Sequence, residues 1–303
     1  MRSKLVIVSR SSNLAIKQVE IINEKLSNFF DIELIKVRTI ADKNLKKPLY
    51  EIGGKGLFVK ELEKFLLERR ADIAIHSLKD MEAKLTKNTC ICAVTQSLSK
   101  FDVLLSNYGD LSSLPKNAIV GTSSPRRAAF LKAFRDDFII ETCRGNVETR
   151  INKLNKGNFD AIVLAEAGLK RLKIKYTHVI PLKIIPPAAG QGKIAIQCLK
   201  ELQKQKKEKI ISLVNNKIAY FQSLAERSMI KHLNGSCKSP ITAEANIDSF
   251  GNITLKGSVA NLSGTRIISD EVVGKKTEAE IIGKKLAKSL ILNGAKKLLD
   301  DLR

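Results

Sequence analysis

The sequence predicts an α/β protein: two lobes of similar build, then a small α+β domain. Three observations carry this. Through the first 215 residues, apolar strand-like runs alternate with amphipathic helices, the pattern of helices covering both faces of a mostly parallel sheet. The pattern restarts near residue 118: VIVSRSSNLA and AIVGTSSPRR each run from an apolar strand through a Ser-Ser turn into a helix. From about residue 216 the period changes to three strand-like runs with a helix at each end.

Taken in order, residues 4–9 (KLVIVS) read as a buried strand, Asn13–Phe29 as a helix with Leu14, Val19, Ile22 and Leu26 on its apolar side, and 32–37 (IELIKV) as the next strand. A loop rich in Lys and Gly leads to a helix over about 57–69 and the strand DIAIHS at 72–77. The second lobe opens with AIVGTSS, continues as the helix PRRAAFLKAF and the strand at 138–143, then a helix around 147–156, the strand DAIVLA at 160–165 and a short helix to Leu172. PLKIIPPAAGQG is a crossing segment by its Pro and Gly content. KIAIQC follows as a strand and 200–215 as a helix with a Lys/Gln-rich face. The last domain reads as a helix over 217–232, strands at 241–247, 252–260 and 266–273, and a closing helix at 277–292. The expected domains are 1–99 with 193–215, 100–192, and 216–303.

Composition narrows the function classes. At 303 residues and 44% hydrophobic content the chain is long enough for two or three domains. Its apolar runs fall short of a bilayer span and its first residues lack a signal-peptide pattern, so a soluble cytoplasmic protein with no membrane partner is expected. Five cysteines, an odd and scattered set, argue for reduced thiols. The net charge of +22 raises nucleic-acid binding. It is spread as +6, +11 and +5 over residues 1–99, 100–215 and 216–303, and only 14 of the 53 cations are Arg. A lysine-rich solvated surface explains most of it, and no nucleic-acid partner is expected.

The arginines carry more information. In TSSPRR, Ser124 suits an N-cap and Pro125 the first helical position. Thr122, Ser123, Arg126 and Arg127 around that helix start add the hydroxyls and guanidiniums of an anion pocket. Arg10, Ser11 and Ser12 repeat the arrangement more sparsely in the first lobe. Arg144 and Arg150 flank the next strand-to-helix turn, CRGNVETR. GGKGLF at 53–58 fails as a phosphate loop, because Leu49 and Gly56 stand where Gly and Ser or Thr are required; it remains a glycine loop presenting Lys55. Lys79 and Asp80 follow a strand end, the usual place for chemistry in α/β proteins, and Asp80 is the best-placed carboxylate for acid/base work. Cys237 lies in HLNGSCKSPI between a helix end and a strand; a lone Cys is ordinarily inert core, whereas an exposed loop near Lys238 and His232 would favour thiolate. No metal site is expected, since Cys90-x-Cys92 lacks a second pair and the three histidines are scattered.

SRSSNLA, GGKGLFVKELE, RADIAIHSLKD, VGTSSPRR, RGNVETR, DAIVLAEAGLKRL, AAGQG and LNGSCKSPI together resemble the porphobilinogen deaminase (hydroxymethylbilane synthase) family over essentially the whole chain. The resemblance implies two lobes similar to type II periplasmic binding proteins plus the small C-terminal domain, in a monomer. It implies head-to-tail condensation of four porphobilinogens with loss of four ammonia molecules and hydrolytic release of the linear tetrapyrrole. It further implies a dipyrromethane cofactor joined through a thioether to Cys237.

Carried onto this chain, Asp80 matches the catalytic aspartate. The cofactor-binding set is Cys237, Lys79, Asp80, Thr122, Ser123, Arg126, Arg127 and Arg144. The substrate-binding set is Arg10, Ser12, Lys55, Ser124, Arg144 and Arg150. Arginine suits a polycarboxylate chain because its planar fork pairs bidentately and keeps its charge. Glu82, where the family usually has Pro, and Ser236, where it usually has Gly, are departures that leave the thiol in place. Two other classes fit part of the pattern: a two-lobed binding protein for a small anion, which needs neither Cys237 nor the third domain, and a nonspecific nucleic-acid binder.

Overall fold

The computed structural model describes residues 2–38, 59–236 and 239–301. Lys55 and Cys237 lie outside the described residues. In chain order the elements begin with β1 (Ser3–Arg10), α1 (Asn13–Leu26), β2 (Phe30–Val37), α2 (Lys60–Leu67) and β3 (Ile73–Ser77), which ends in a 3-10 turn, Leu78–Asp80. Next come β4 (Thr89–Val94), β5 (Asp102–Ser106), β6 (Ile119–Gly121), α3 (Pro125–Phe134), β7 (Ile139–Glu141), α4 (Val147–Asn155), β8 (Ala161–Ala165), α5 (Glu166–Leu172), β9 (His178–Ile180) and β10 (Ile194–Leu199). The chain closes with α6 (Lys204–Val214), α7 (Lys217–His232), β11 (Ile241–Ile247), β12 (Asn252–Ala260), β13 (Ile267–Lys275), α8 (Ala279–Leu290) and α9 (Lys296–Asp300). No helix among the described residues is long and apolar enough to cross a membrane.

Two compact units form, Met1–Leu98 with Gly192–Tyr220 and Ser99–Gln191 with Phe221–Arg303. In the first, the sheet order is β2-β1-β3-β10-β4. Strand alternation sorts its core into two layers. Leu5 and Ile7 face α1 and α6 with Val19, Ile22, Ile196 and Ile210, while Val8 and Ala74 face Leu62 and Leu66 of α2. Gln18 of α1 is almost fully buried and donates from Nε2 to Ser77 Oγ at 2.8 Å, which ties the helix to the end of β3.

The second unit contains a sheet of order β7-β6-β8-β5-β9 and a smaller one of order β11-β12-β13. Val120, Ala161 and Val163 pack against Ala129, Phe130 and Leu131 of α3, and Ile162 and Leu164 pack with Leu154 and Leu169 on the opposite face. The three-stranded sheet buries Ile241, Ile253 and Leu255 against Met229 of α7 and Ile282, Leu286 and Leu290 of α8. A Cβ at Gly283 would lie 2.4 Å from Ala225 O, so only glycine lets α8 approach α7 this closely.

The two five-stranded sheets have one plan. In each, the first strand pairs in parallel with the second and third (β1 with β2 and β3; β6 with β7 and β8). The remaining pairings are antiparallel, β10 with β3 and β4, and β5 with β8 and β9. The sheets are therefore mixed rather than mostly parallel. β5 opens the excursion into the second unit and β10 follows the return, and each enters as the fourth strand beside the third.

Candidate functional site

In the first unit the chemistry-bearing residues gather at the carboxyl ends of β1 and β3. β1 ends at Arg10, and Ser11 N donates to Val37 O at 2.9 Å, turning the chain into α1. Ser12 caps that helix, its Oγ accepting from Ala15 N at 3.4 Å. After β3 the turn is pinned by Leu78 N donating to Lys193 O at 3.0 Å and Met81 N to Leu78 O at 3.1 Å. Leu78 and Met81 are buried, which leaves Lys79 and Asp80 half-buried between them. Arg10, Ser12, Gln18, His76, Ser77 and Asp80 line one concavity, together with Leu14, Ala15, Val59 and Ile75. A cation, a hydroxyl and a carboxylate are thereby brought to one wall; Lys79 is not part of its lining.

In the second unit the equivalent turn is denser. Thr122 N donates to Glu141 O at 2.8 Å, Ser124 N to Thr122 Oγ1 at 3.2 Å, and Ser123 Oγ to Cys143 O at 2.7 Å. Ser124 caps α3 by accepting from Arg127 N at 3.4 Å, with Pro125 in the first turn. The two guanidiniums that follow do not sit on the surface. Arg126 is 4% and Arg127 5% exposed, and both reach Asp102, at 0% exposure, through Nη2 at 2.7 Å, one to each carboxylate oxygen. Arg126 Nη1 also donates to Pro186 O at 2.5 Å, and Arg127 Nη1 to Val163 O at 2.9 Å. Burial is the larger influence on Arg126 and lowers its pKa, while Asp102 opposes that shift. Arg127 Nε is buried with no hydrogen-bond acceptor among the described residues.

Arg144 and Arg150 sit at the next turn. Asn146 caps α4, its Oδ1 accepting from Thr149 N at 2.8 Å, and Arg150 Nε donates to Gly145 O at 2.9 Å. Arg144 is buried, which lowers its pKa, and its Nη1 has no acceptor among the described residues. The Ser123–Cys143 bond joins this turn to the start of α3. Buried guanidinium donors lacking an acceptor are costly in a protein interior. Among the described residues no group of three or more His, Cys, Asp or Glu side chains could hold a metal ion.

Sequence reasoning gave no sign of the interior placement of Asp102 or the partial burial of Arg171. Asp102 opens a short apolar run and looks like a surface acid. Arg171 stands in the KR pair of GLKRL, and burial lowers its pKa to about 10. Two basic residues in the last turn of a helix give no sequence signal beyond an ordinary helix end.

These features define an α/β protein of two sheet–helix lobes, each turning from its first strand into a serine-capped helix, with a small three-stranded domain appended. The chain belongs to the porphobilinogen deaminase family. The family model described as porphobilinogen deaminase, dipyromethane cofactor binding domain, matches residues 5–207, and that of the C-terminal domain matches residues 220–292. Porphobilinogen deaminase of Buchnera aphidicola subsp. Acyrthosiphon pisum (strain Tuc7) is 42% identical over 98% of this chain and 96% of its own length. The protein of that name from Nitratiruptor sp. is 40% identical over 98% and 96%, and that from Legionella pneumophila (strain Paris) 39% over 100% and 99%. Among solved structures, the periplasmic sulfonate-binding protein SsuA from Methylobacillus flagellatus is similar at 15% identity and a TM-score of 0.41, covering 74% of this chain and 68% of that one.

Proposed function

We propose that this chain is a hydroxymethylbilane synthase, a transferase that condenses four porphobilinogens head to tail, releases four ammonia molecules and frees the linear tetrapyrrole by hydrolysis. The observation that carries the reading is the placement of Asp80, half-buried on the turn after β3 in the concavity shared with Arg10 and Ser12, within a family match that spans the chain. Loss of ammonia from porphobilinogen leaves a cationic azafulvene. A carboxylate held at a strand end stabilises that cation, accepts pyrrole N–H bonds and shuttles the proton between coupled carbon and departing ammonia.

A dipyrromethane attached at Cys237 supplies, when bound, the primer on which the chain grows. Lys79, Asp80, Thr122, Ser123, Arg126, Arg127 and Arg144 would hold it, and the buried donors on Arg127 and Arg144 that lack acceptors fit its carboxylates. Arg10, Ser12, Lys55, Ser124, Arg144 and Arg150 would bind the acetate and propionate groups of incoming substrate. Their contribution is positioning, which supplies several kcal/mol of catalysis. The division 1–99 with 193–215, 100–192 and 216–303 then reads as an acid/base lobe, a carboxylate-binding lobe and a cofactor-attachment domain. A monomer working in the cytoplasm completes the proposal.

The test is turnover of purified protein with porphobilinogen, following ammonia and substrate together. Equal amounts of ammonia released and porphobilinogen consumed, with one linear tetrapyrrole per four substrates, is expected. Binding of porphobilinogen without ammonia release would point instead to a two-lobed binding protein.

A further inference from the structure

The side chains around Arg126 and Arg127 form a continuous buried polar network. Asp102 accepts from Arg126 on one oxygen and from Arg127 on the other, and its Oδ1 also accepts from Gln191 Nε2 at 3.1 Å. Gln191 Oε1 in turn accepts from Arg126 Nη2 at 3.3 Å, and its amide donates to Lys100 O at 2.8 Å. One residue earlier, Gly190 N donates to Glu226 Oε2 at 2.9 Å, and Glu226 Oε1 accepts from Ala245 N at 3.2 Å. Asp102, Gln191 and Glu226 are each at most 5% exposed. Glu226 belongs to α7 and Ala245 to β11, the two elements that flank the segment containing Cys237. The network therefore runs from the start of α3 to α7 and β11.

Charge sharpens the point. One carboxylate bound by two guanidiniums leaves a single surplus positive charge on the trio. Guanidiniums already held by such bonds lose less conformational freedom when a carboxylate arrives, which is how supporting shells raise affinity without touching ligand.

We infer that Asp102, Gln191 and Glu226 are positioning residues that hold the Arg126–Arg127 pair in register with α7 and β11, so that the pair meets the cofactor's carboxylates in a fixed geometry. This rests on the proposed function above. None of the three touches substrate or cofactor in this scheme; each acts through the arginines or through the backbone of the Gly190–Gln191 segment.

The test compares the full-length wild type with Asp102→Asn, which removes the charge and keeps the shape, and Gln191→Leu, which removes the amide bridge and leaves every charge in place. Asp137→Asn, in the remote pair with Arg135, is the control for loss of one carboxylate. Folding is checked by circular dichroism, Arg Nε–Hε signals are followed by NMR, and the Cys237 adduct is quantified by intact mass. The expected result is folded variants in which the Arg126 and Arg127 signals shift or broaden and cofactor loading falls about tenfold, while Asp137→Asn matches wild type. Wild-type signals and loading in folded Asp102→Asn and Gln191→Leu would overturn the inference. If Asp102→Asn does not fold, Gln191→Leu decides. If wild type itself carries no adduct and turns over no porphobilinogen, the proposed function fails, and the NMR comparison still settles whether Asp102 and Gln191 hold the pair.

Discussion

The two lobes start from the same plan and use it differently. Both turn from a first parallel strand, β1 or β6, into a helix capped by a serine, Ser12 or Ser124. At the first turn one arginine, Arg10, stands half-buried in an open concavity with Asp80. At the second, two arginines are driven into the interior and held by Asp102. One helix start thus lies beside a carboxylate open to the concavity, and the other encloses its carboxylate behind cations. The difference teaches that one supersecondary unit leaves its carboxylate open to a concavity or locked inside the fold according to where the carboxylate sits relative to the cations.

The largest expected effect lies on the first side. Asp80→Asn keeps its fold, because the side chain is half-buried on a turn fixed by backbone bonds, and lowers turnover by about 100- to 10,000-fold. Single-turnover kinetics on protein with an unchanged melting temperature checks it. Near-normal turnover would remove Asp80 from the chemistry.

Stability separates the lobes next. Arg126→Leu leaves Asp102 at 0% exposure still paired with Arg127 but removes the buried bonds to Asp102 and Pro186 O, and costs about 1.5–3 kcal/mol, the range for a hydrogen bond to a charged group. Arg10→Leu stays within about 1 kcal/mol, as expected of a change near the surface. Urea denaturation of both variants measures the contrast, and equal losses would erase the distinction drawn between the two turns.

A smaller effect comes from the hairpin between β12 and β13. Gly264 has φ +72°, and a Cβ there would lie 2.3 Å from Ala129 O and 2.6 Å from Ala133 N, both in α3. Gly264→Ala therefore strains the turn and pushes against the helix that carries Arg126 and Arg127, costing about 1–3 kcal/mol. Thermal melts of the variant check it.

The smallest is a pH effect. Arg135, by its side-chain bond, and then Asn117 N–H hold the Asp137 carboxylate at about 2, below its ordinary 3.8. The pair's stabilisation is fully present above about pH 4 and is lost as pH falls through about 2. Asp137→Asn accordingly lowers the melting temperature slightly and evenly above about pH 4 and flattens the acid limb below it, which melting profiles taken from about pH 2 to 7 check.

Much of this was legible in the sequence where local chemistry settles local structure. β1, α1, α3 and β8 are apolar strands or capped helices whose signals lie within a few residues, and the repeat of strand, Ser-Ser and helix is visible by eye. β4, β5 and β9 were not legible. They are six, five and three residues long, and their places in the sheets are fixed by partners such as Ala165 opposite Asp102. The same holds for the site. The serine caps announce themselves, but the burial of Arg126 and Arg127 depends on Asp102, 24 positions away from Arg126, and on Gln191, 89 positions from Asp102. Sequence separation hides such a network because each member looks like a surface residue until the sheet brings them together.

The division of labour between the two turns is tested most directly by intact mass spectrometry of Asp80→Asn and Arg127→Leu proteins incubated with porphobilinogen. Asp80→Asn, whose amide oxygen can still accept a pyrrole N–H bond at that place, is predicted to carry the two-pyrrole adduct on Cys237 at wild-type level and to gain further pyrrole units only slowly. Arg127→Leu is predicted to carry little adduct. Rapid elongation in Asp80→Asn, or full adduct loading in Arg127→Leu, would contradict the assignment of chemistry to the first turn and carboxylate binding to the second.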